Sequence, residues 1–359
     1  MAPSGSNTII GTYSPFSWRQ CSFLILNFVF INSVFAGEQG HYDPAAMAVR
    51  DYILPSKGFY LIGYDTYYHA DKMKDSSGNT LDSVNVSGLW QGNIKSVPIT
   101  ITGTLNANLN FSIHSAMQTL AFAWAIDKKI LGADYGFMII PSWGYTSVNV
   151  AIQGTASGTI KVGAHSRNFS MGEEVKIKDG QWGLGDLIVQ PLWLDWRGKN
   201  YDLAFSYAAT LPTGAYDKNN VANVGMGFFS QRLQLANYFY PFENKTTAFM
   251  FTPTYEWNSK KIDTDIQPGQ TMAIEYGISQ YVHPRVEIGL SGYNQWQITD
   301  DSGSAATDKT KDTISGVGGQ IVYWAIKNKC SLTVKVNKEY AGKDRLEGLF
   351  ESLNFAWIF

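Results

Sequence analysis

The residues with most scope for chemistry are five histidines, set in a chain of 359 residues. A hydrolase or acyltransferase at the rim of a sheet needs a serine within hydrogen-bond reach of a histidine. His114 and His165 each precede a serine, Ser115 and Ser166. Neighbours on an extended strand point to opposite faces, so neither pair can share a proton on regular backbone. His69 and Asp71 do share a face, and their spacing suits a turn-stabilising contact better than a metal site. No Cys-x-x-Cys, His-Glu-x-x-His or phosphate-cradling glycine loop is present, and Gly183-Leu184-Gly185 lacks the third glycine and the helix that nucleotide binding requires. It reads as a bulge at a strand start. Asp71 and Asp75, Asp263 and Asp265, and Asp300, Asp301, Asp308 and Asp312 lie in polar stretches and fit no calcium-loop spacing. The expectation is a protein with no catalytic residue, no metal site and no cofactor.

The composition says what must position such residues. Aromatics make up 14% of the chain, charged residues only 16%, and glycines number 34. Mean hydropathy is nonetheless −0.14. This balance is expected where one face of every strand meets lipid. A helical membrane protein would need spans of roughly 20 nearly continuous apolar residues, and none follows residue 36. A net charge of −2 with scattered Lys and Arg offers no stripe for a phosphate backbone, so nucleic acid is not an expected partner. The one long apolar run, Cys21 to Ile31, follows Arg19 and leads to Val34-Phe35-Ala36. It reads as a secretory signal over residues 1–36, cleaved to leave Gly37 first and Cys330 as the single cysteine.

Period-two alternation then assigns faces. Phe249, Phe251, Pro253, Tyr255 and Trp257 oppose Ala248, Met250, Thr252, Thr254 and Glu256. Leu332, Val334 and Val336 oppose Thr333, Lys335, Asn337 and Glu339, and Val286, Ile288, Leu290 and Trp296 oppose Glu287, Ser291 and Gln295. Tyr201, Leu203, Phe205 and Tyr207 oppose Asp202 and Ser206. The apolar faces are weighted to Phe, Tyr and Trp, as membrane girdles are, where a soluble sandwich would use aliphatic residues. Arg should therefore cost more at Phe251 or Leu290 than at inward Thr252 or Ser291.

Strands are placed at 58–69, 103–127, 131–153, 183–196, 201–211, 226–240, 247–258, 270–282, 285–298, 313–326, 330–340 and 347–359. Tight links at 127–129, 197–200, 243–245, 283–284 and 327–329 alternate with longer polar links at 70–102, 154–182, 212–225, 259–269 and 299–312. Short periplasmic turns and long external loops are the habit of an outer-membrane barrel. The expected fold is all-β: a transmembrane antiparallel β-barrel of about twelve strands, or fourteen, over 58–359, preceded by a short periplasmic or lumenal segment at 37–57. Both termini are expected in the periplasm. The chain ends Leu353-Asn354-Phe355-Ala356-Trp357-Ile358-Phe359, which resembles the signal read by the barrel-assembly machinery. That machinery and outer-membrane lipid are the expected partners.

A set of stretches resembles the outer-membrane barrel family named for a meta pathway of phenol degradation. These are 55–60 leading to 68–71 and 75–78, then 129–136, Gly183-Leu184-Gly185-Asp186, 211–217 and 297–303. The resemblance implies a barrel akin to the fatty-acid and aromatic-hydrocarbon channels, passing hydrophobic small molecules. Those channels carry a substantial hatch before the barrel, whereas about twenty residues separate Gly37 from the first strand here. The expected function is passive uptake of small hydrophobic or aromatic compounds. The alternatives are a polar-solute porin and a closed-lumen structural or adhesion barrel. The inward faces offer Asp202, Arg232, Gln234, Glu256, Glu275, Glu287, Lys335, Asn337 and Glu339 as lumen-lining candidates. The outward faces offer Phe251, Tyr255, Trp257, Trp296, Phe355, Trp357 and Phe359 to lipid and its girdles.

Overall fold

The computed structural model describes residues 39–94, 97–306 and 311–359. The expected signal segment and Asp308 lie outside the described residues. Alternating sequence produces fifteen strands and, among the described residues, no helix. Twelve of the strands close on themselves. β1 (Gly58–Met73), taken with β2 (Ser83–Ile94), β3 (Val97–Ile130), β4 (Ala133–Ile140), β5 (Ser142–Val162), β6 (His165–Leu184), β7 (Leu187–Arg197) and β8 (Tyr201–Leu211), makes up the first part of the chain. β9 (Ser230–Phe239), β10 (Thr247–Asn258), β11 (Thr271–His283), β12 (Val286–Gln297), β13 (Thr313–Ile326), β14 (Cys330–Lys343) and β15 (Leu346–Ile358) complete it. β1 pairs antiparallel with β15, the ladder runs in reverse order from β15 to β7, and then passes to β4 and β3. Residues 113–125 of β3 return to β1 and close the barrel. Closure removes the free edges that an open sheet of this size would expose.

Two compact units result. The barrel holds the described residues up to Thr80, with 112–148 and 178–359. The second unit holds residues 81–111 and 149–177, where β2, β3, β5 and β6 follow one another as antiparallel neighbours. Its own small core is Ala107, Leu109 and Ile152, packed with Val84, Phe111, Val150 and Val175.

This second unit corrects the expected loops at 70–102 and 154–182, which contain β2 and β6. β6 carries Glu173, Glu174, Lys176 and Lys178, and only one of its faces, with Phe169, Met171 and Val175, is half-buried. A charged strand covered on one side has the composition of a loop. The expected strand at 131–153 is two strands divided at Pro141, which cannot donate to a ladder. The turn before it falls at Leu131 and Gly132, both with positive φ, and not at 127–129. Gly183 and Leu184 finish β6 and do not begin a strand, and β9 starts at Ser230, later than the expected 226.

Around the barrel the alternation sorts chemistry by face. On β10 the inward residues Ala248, Met250, Thr252, Thr254 and Glu256 are buried, while Phe249 and Phe251 are exposed outward. On β14 the inward Thr333, Lys335, Asn337 and Glu339 are buried and Leu332, Val334 and Val336 are exposed. Short turns at 131–132, 198–200, 240–246, 284–285 and 327–329 gather at one end; the connections at 74–80, 212–229, 259–270 and 298–306 gather at the other.

Candidate functional site

The interior of the barrel is the site, and residues 39–57 occupy it. This segment is built of turns and bends and joins no strand. It begins at the end with the long connections. There the His41 N–H donates to Glu256 Oε1 at 2.7 Å, Nδ1 lies 2.6 Å from Ser230 Oγ, and Nε2 lies 3.0 Å from Asp186 Oδ2. Its ring packs on Phe228 at 4.4 Å. A Cβ at Gly40 would collide with the Glu256 carboxylate, so only glycine brings the chain this close to β10.

Midway, Glu275 on β11 gathers three donors: the Tyr42 hydroxyl, the Tyr52 hydroxyl at 2.7 Å and the Ala45 N–H at 3.1 Å. Gln234 donates to the Tyr42 hydroxyl at 2.8 Å, Gln295 donates to its carbonyl at 2.9 Å, and the Arg232 guanidinium lies 4.8 Å over its ring. Val49, fully buried, donates its N–H to Gln320 and accepts from the Tyr238 hydroxyl. Lys335 donates to the Met47 carbonyl at 2.5 Å. Arg50 donates to Ser279 at 2.8 Å and to the Lys245 and Thr246 carbonyls, pairs with Glu287 at 3.4 Å, and lies over the Tyr281 ring. At the short-turn end Arg197 donates to the Leu54 and Pro55 carbonyls and pairs with Asp195 at 2.8 Å. There Lys57 meets Asp127 at 2.5 Å. The segment thus runs the height of the barrel, held by side-chain bonds and by a shared aromatic and apolar cluster of Val49, Tyr52, Leu54, Tyr64, Trp193 and Tyr238.

The sequence-derived inward residues fall as follows. Asp202, Gln234, Glu256, Glu275, Glu287, Lys335, Asn337 and Glu339 are all buried, and Arg232 is half-buried. Gln234, Glu256, Glu275, Glu287 and Lys335 bond or pair with the segment, and Arg232 stacks on it. Asp202 holds Lys245 at 2.7 Å and the Tyr240 hydroxyl at 2.8 Å. Glu339 accepts from Tyr68, Tyr293 and the Gly348 N–H. The Asn337 side chain has no hydrogen-bond partner among the described residues. On the outer face, Phe251, Phe355 and Phe359 are exposed and Tyr255, Trp257, Trp296 and Trp357 half-exposed. Tyr255 packs on Trp257 at 5.6 Å, and Phe355, Trp357 and Phe359 form a file with centroids 6.5 and 6.4 Å apart.

Ser230, the serine that the His41 ring meets, is buried. His114 accepts or donates at Nδ1 with the Tyr67 hydroxyl and stacks on His69 at 4.7 Å, while Ser115 faces Thr146. His69 therefore contacts a ring and not the turn that Asp71 was expected to share with it. In the connections, Asp265 is held well below the usual carboxylate range by bonds from Lys260 and Ser304, and Asp75 is lowered by the Asn79, Ser77 and Gly78 N–H groups that close its turn. Asp186, between β6 and β7, accepts from His41 and from the Gly214 and Met226 N–H groups at 2.8 and 2.7 Å. Burial raises its carboxyl, but these donors outweigh burial and hold it below the ordinary value.

Little in the sequence marks His41, Tyr42, Arg50 and Tyr52 as interior contacts. They lie in a stretch with no periodicity, and the available signal is Tyr42 and Tyr52 set among single charges in a turn-forming context.

The family described as "Putative MetA-pathway of phenol degradation" matches residues 70–355. Among solved structures, an outer membrane channel from Pseudomonas putida F1 is similar at a TM-score of 0.61 and 14% identity, covering 87% of this chain and 100% of that one. A FadL homologue from Pseudomonas aeruginosa matches at a TM-score of 0.37 and 11% identity, covering 90% of this chain and 100% of that one. The first likeness fixes the fold as that of an outer-membrane barrel. No curated protein matches this chain.

Proposed function

Because this chain belongs to the family described as "Putative MetA-pathway of phenol degradation", we propose that it is a bacterial outer-membrane channel for passive uptake of small hydrophobic or aromatic compounds. The observation that carries the reading is the construction of the interior. A twelve-strand barrel is wide enough to enclose a pathway, and here that space is filled by a strandless segment joined to the wall through side-chain bonds. A ladder would make the filling permanent; side-chain contacts let residues 39–57 shift while the wall stays closed. The surfaces then uncovered are aromatic, with Tyr64, Trp193 and Tyr238 on the wall. The short-turn end, with Phe359, faces the periplasm, and the long connections face outward. His41 sits at the outer end, so the segment passes inward through the lumen before β1 begins.

The test is uptake by porin-depleted cells expressing the protein, compared with empty-vector cells. Radiolabelled phenol or toluene should enter faster with the protein present, and a sugar of similar size should not. Faster sugar entry would favour a polar porin; no change for either solute would favour a closed structural barrel, whose buried ion pairs Arg50–Glu287 and Arg345–Asp312 would then serve only to plug it.

A further inference from the structure

On the inner faces of β13, β14 and β15 the ladder makes Gln320 the neighbour of Lys335 and Lys335 the neighbour of Ser352. Asn337 and Asn354 lie in the flanking rows, opposite Gly318 and Thr333. These side chains are almost wholly buried; Asn337 is 1% exposed and Asn354 4%. Both amide atoms of Asn337, both of Asn354, Ser352 Oγ and Gln320 Nε2 have no hydrogen-bond partner among the described residues. Buried polar atoms in native proteins are nearly always paired, and a contiguous set of orphans calls for an explanation. The patch faces the segment, since Lys335 donates to the Met47 carbonyl and Gln320 accepts from the Val49 N–H.

We infer that Gln320, Asn337, Ser352 and Asn354 form a recognition site for the hydroxyl group of an uncharged aromatic solute. The inference rests on the reading that such solutes enter the lumen. Amides and hydroxyls both donate and accept, and so does a solute hydroxyl. A carboxylate only accepts, which would leave the asparagine oxygens orphaned. Lys335, at the centre of the patch as the ladder neighbour of both Gln320 and Ser352, repels a cation, and its ammonium is already engaged by the Met47 carbonyl. The flanks suit a ring, with Phe350 paired beside Asn337 and Tyr64 beside Asn354. Met47 and Val49 cover the patch and withdraw when the solute occupies it.

The experiment titrates the folded full chain in detergent with phenol, anisole and benzoate at neutral pH, following the solutes by ligand-detected NMR. Anisole keeps the ring and loses the donor. If only a fraction of molecules have the segment withdrawn, all affinities fall by the same factor and their ratios survive. Phenol should bind about tenfold more tightly than anisole, and benzoate more weakly than either. Asn337→Leu and Asn354→Leu should each bring phenol toward anisole, with phenol losing more affinity than anisole. Ser352→Ala, the smaller change, is the fallback if a leucine variant does not give the heat-modifiable mobility of a folded barrel. Equal affinity for phenol and anisole, unchanged preference in the variants, or no binding of any solute would overturn the site; equal affinity would leave it as a hydrated patch only. Uptake of aromatics with no phenol preference sinks this inference and spares the channel. A phenol preference without uptake does the reverse.

Discussion

His41 Nε2 stands 3.0 Å from Asp186 Oδ2, one of the contacts that tie the lumenal segment to the long-connection end of the wall. Asp186 can only accept, so Nε2 is the donor. The same carboxylate receives the N–H groups of Gly214 and Met226, which anchor the connection between β8 and β9. Segment and connection are therefore held by one side chain. Replacing His41 by Ala leaves Asp186 and Ser230 short of a buried partner, at a cost of about 1–3 kcal/mol. That cost should fall on the segment and not on the barrel. Limited proteolysis should cut within 39–57 more readily in His41→Ala, with the heat-modifiable gel shift unchanged. Equal cleavage of variant and wild type would show that the latch is not where the segment is secured.

The pH dependence of this latch has a definite sign. Asp186 has a folded value below its unfolded one, because its donors outweigh the burial that raises it. Its contribution is thus complete above the ordinary carboxylate value of about 3.9 and is lost as pH falls through the folded value. Protection of residues 212–229 and 39–57 from an acid protease should hold at pH 5, begin to weaken below about pH 3.9 and be lost only as pH falls on through the lower folded value. In Asp186→Asn the step should vanish. A step near neutral pH that survives in Asp186→Asn would assign the effect to another group.

The outward and inward faces should respond to substitution in different ways. Phe251 and Leu290 are 48% and 65% exposed on the outer wall, so Arg at either should cost about 2–4 kcal/mol near mid-membrane. Thr252 is fully buried and its Oγ1 has no hydrogen-bond partner among the described residues. Thr252→Val should therefore be neutral within about 0.5 kcal/mol or stabilising. Urea unfolding in detergent or lipid measures all three. Losses for Thr252→Val as large as those for Phe251→Arg would reverse the faces.

Alternation on β10, β12 and β14 sorted inward from outward residues, since a period of two is enough to separate faces. It also suggests that Arg costs less at Thr252 or Ser291 than at Phe251 or Leu290. In the structure Thr252 lies in a packed interior, so Arg there would meet the segment. Nothing in the alternation announced that filling, because residues 39–57 bind through scattered partners on seven or more strands and need no repeat of their own. β6 was hidden for the converse reason: its charges mark an edge, and an edge strand half in contact has little apolar periodicity. The last strand itself is legible, because its final aromatics lie two apart.

Arg50 carries a further test of the filled interior. Its guanidinium meets Ser279, two carbonyls and Glu287, whose side chain is 3% exposed. Removing one partner of such a pair leaves an uncompensated buried charge, which costs about 3–5 kcal/mol. In Arg50→Ala the cheapest relief is for the segment to move and let water reach Glu287. Single-channel recordings should show larger or more frequent openings than wild type, and Arg50→Ala/Glu287→Gln should recover part of the closed behaviour. Identical traces for wild type and Arg50→Ala would mean that the segment does not gate conduction.

The carboxyl end separates assembly from stability. Phe359 donates its N–H to the Phe59 carbonyl at 3.1 Å, its ring lies 5.1 Å from Phe59, and it meets Trp357 edge-on. Yet it is 67% exposed, so the apolar area it buries within the protein is small, and its deletion should cost the folded barrel about 1 kcal/mol or less. The register from Tyr60 with Ile358 to Met73 with Leu346 survives without it. We propose that Phe359, Trp357 and Phe355 instead act before closure, as the aromatic file that the barrel-assembly machinery engages on β15. Deleting Phe359 should then lower the yield of folded barrel from cells several-fold while leaving refolding into detergent near wild type. Heat-modifiable mobility reads both routes on one gel. Equal yields by both routes would make Phe359 an ordinary girdle residue, whereas a matching loss in both would place its role in the stability of the closed sheet.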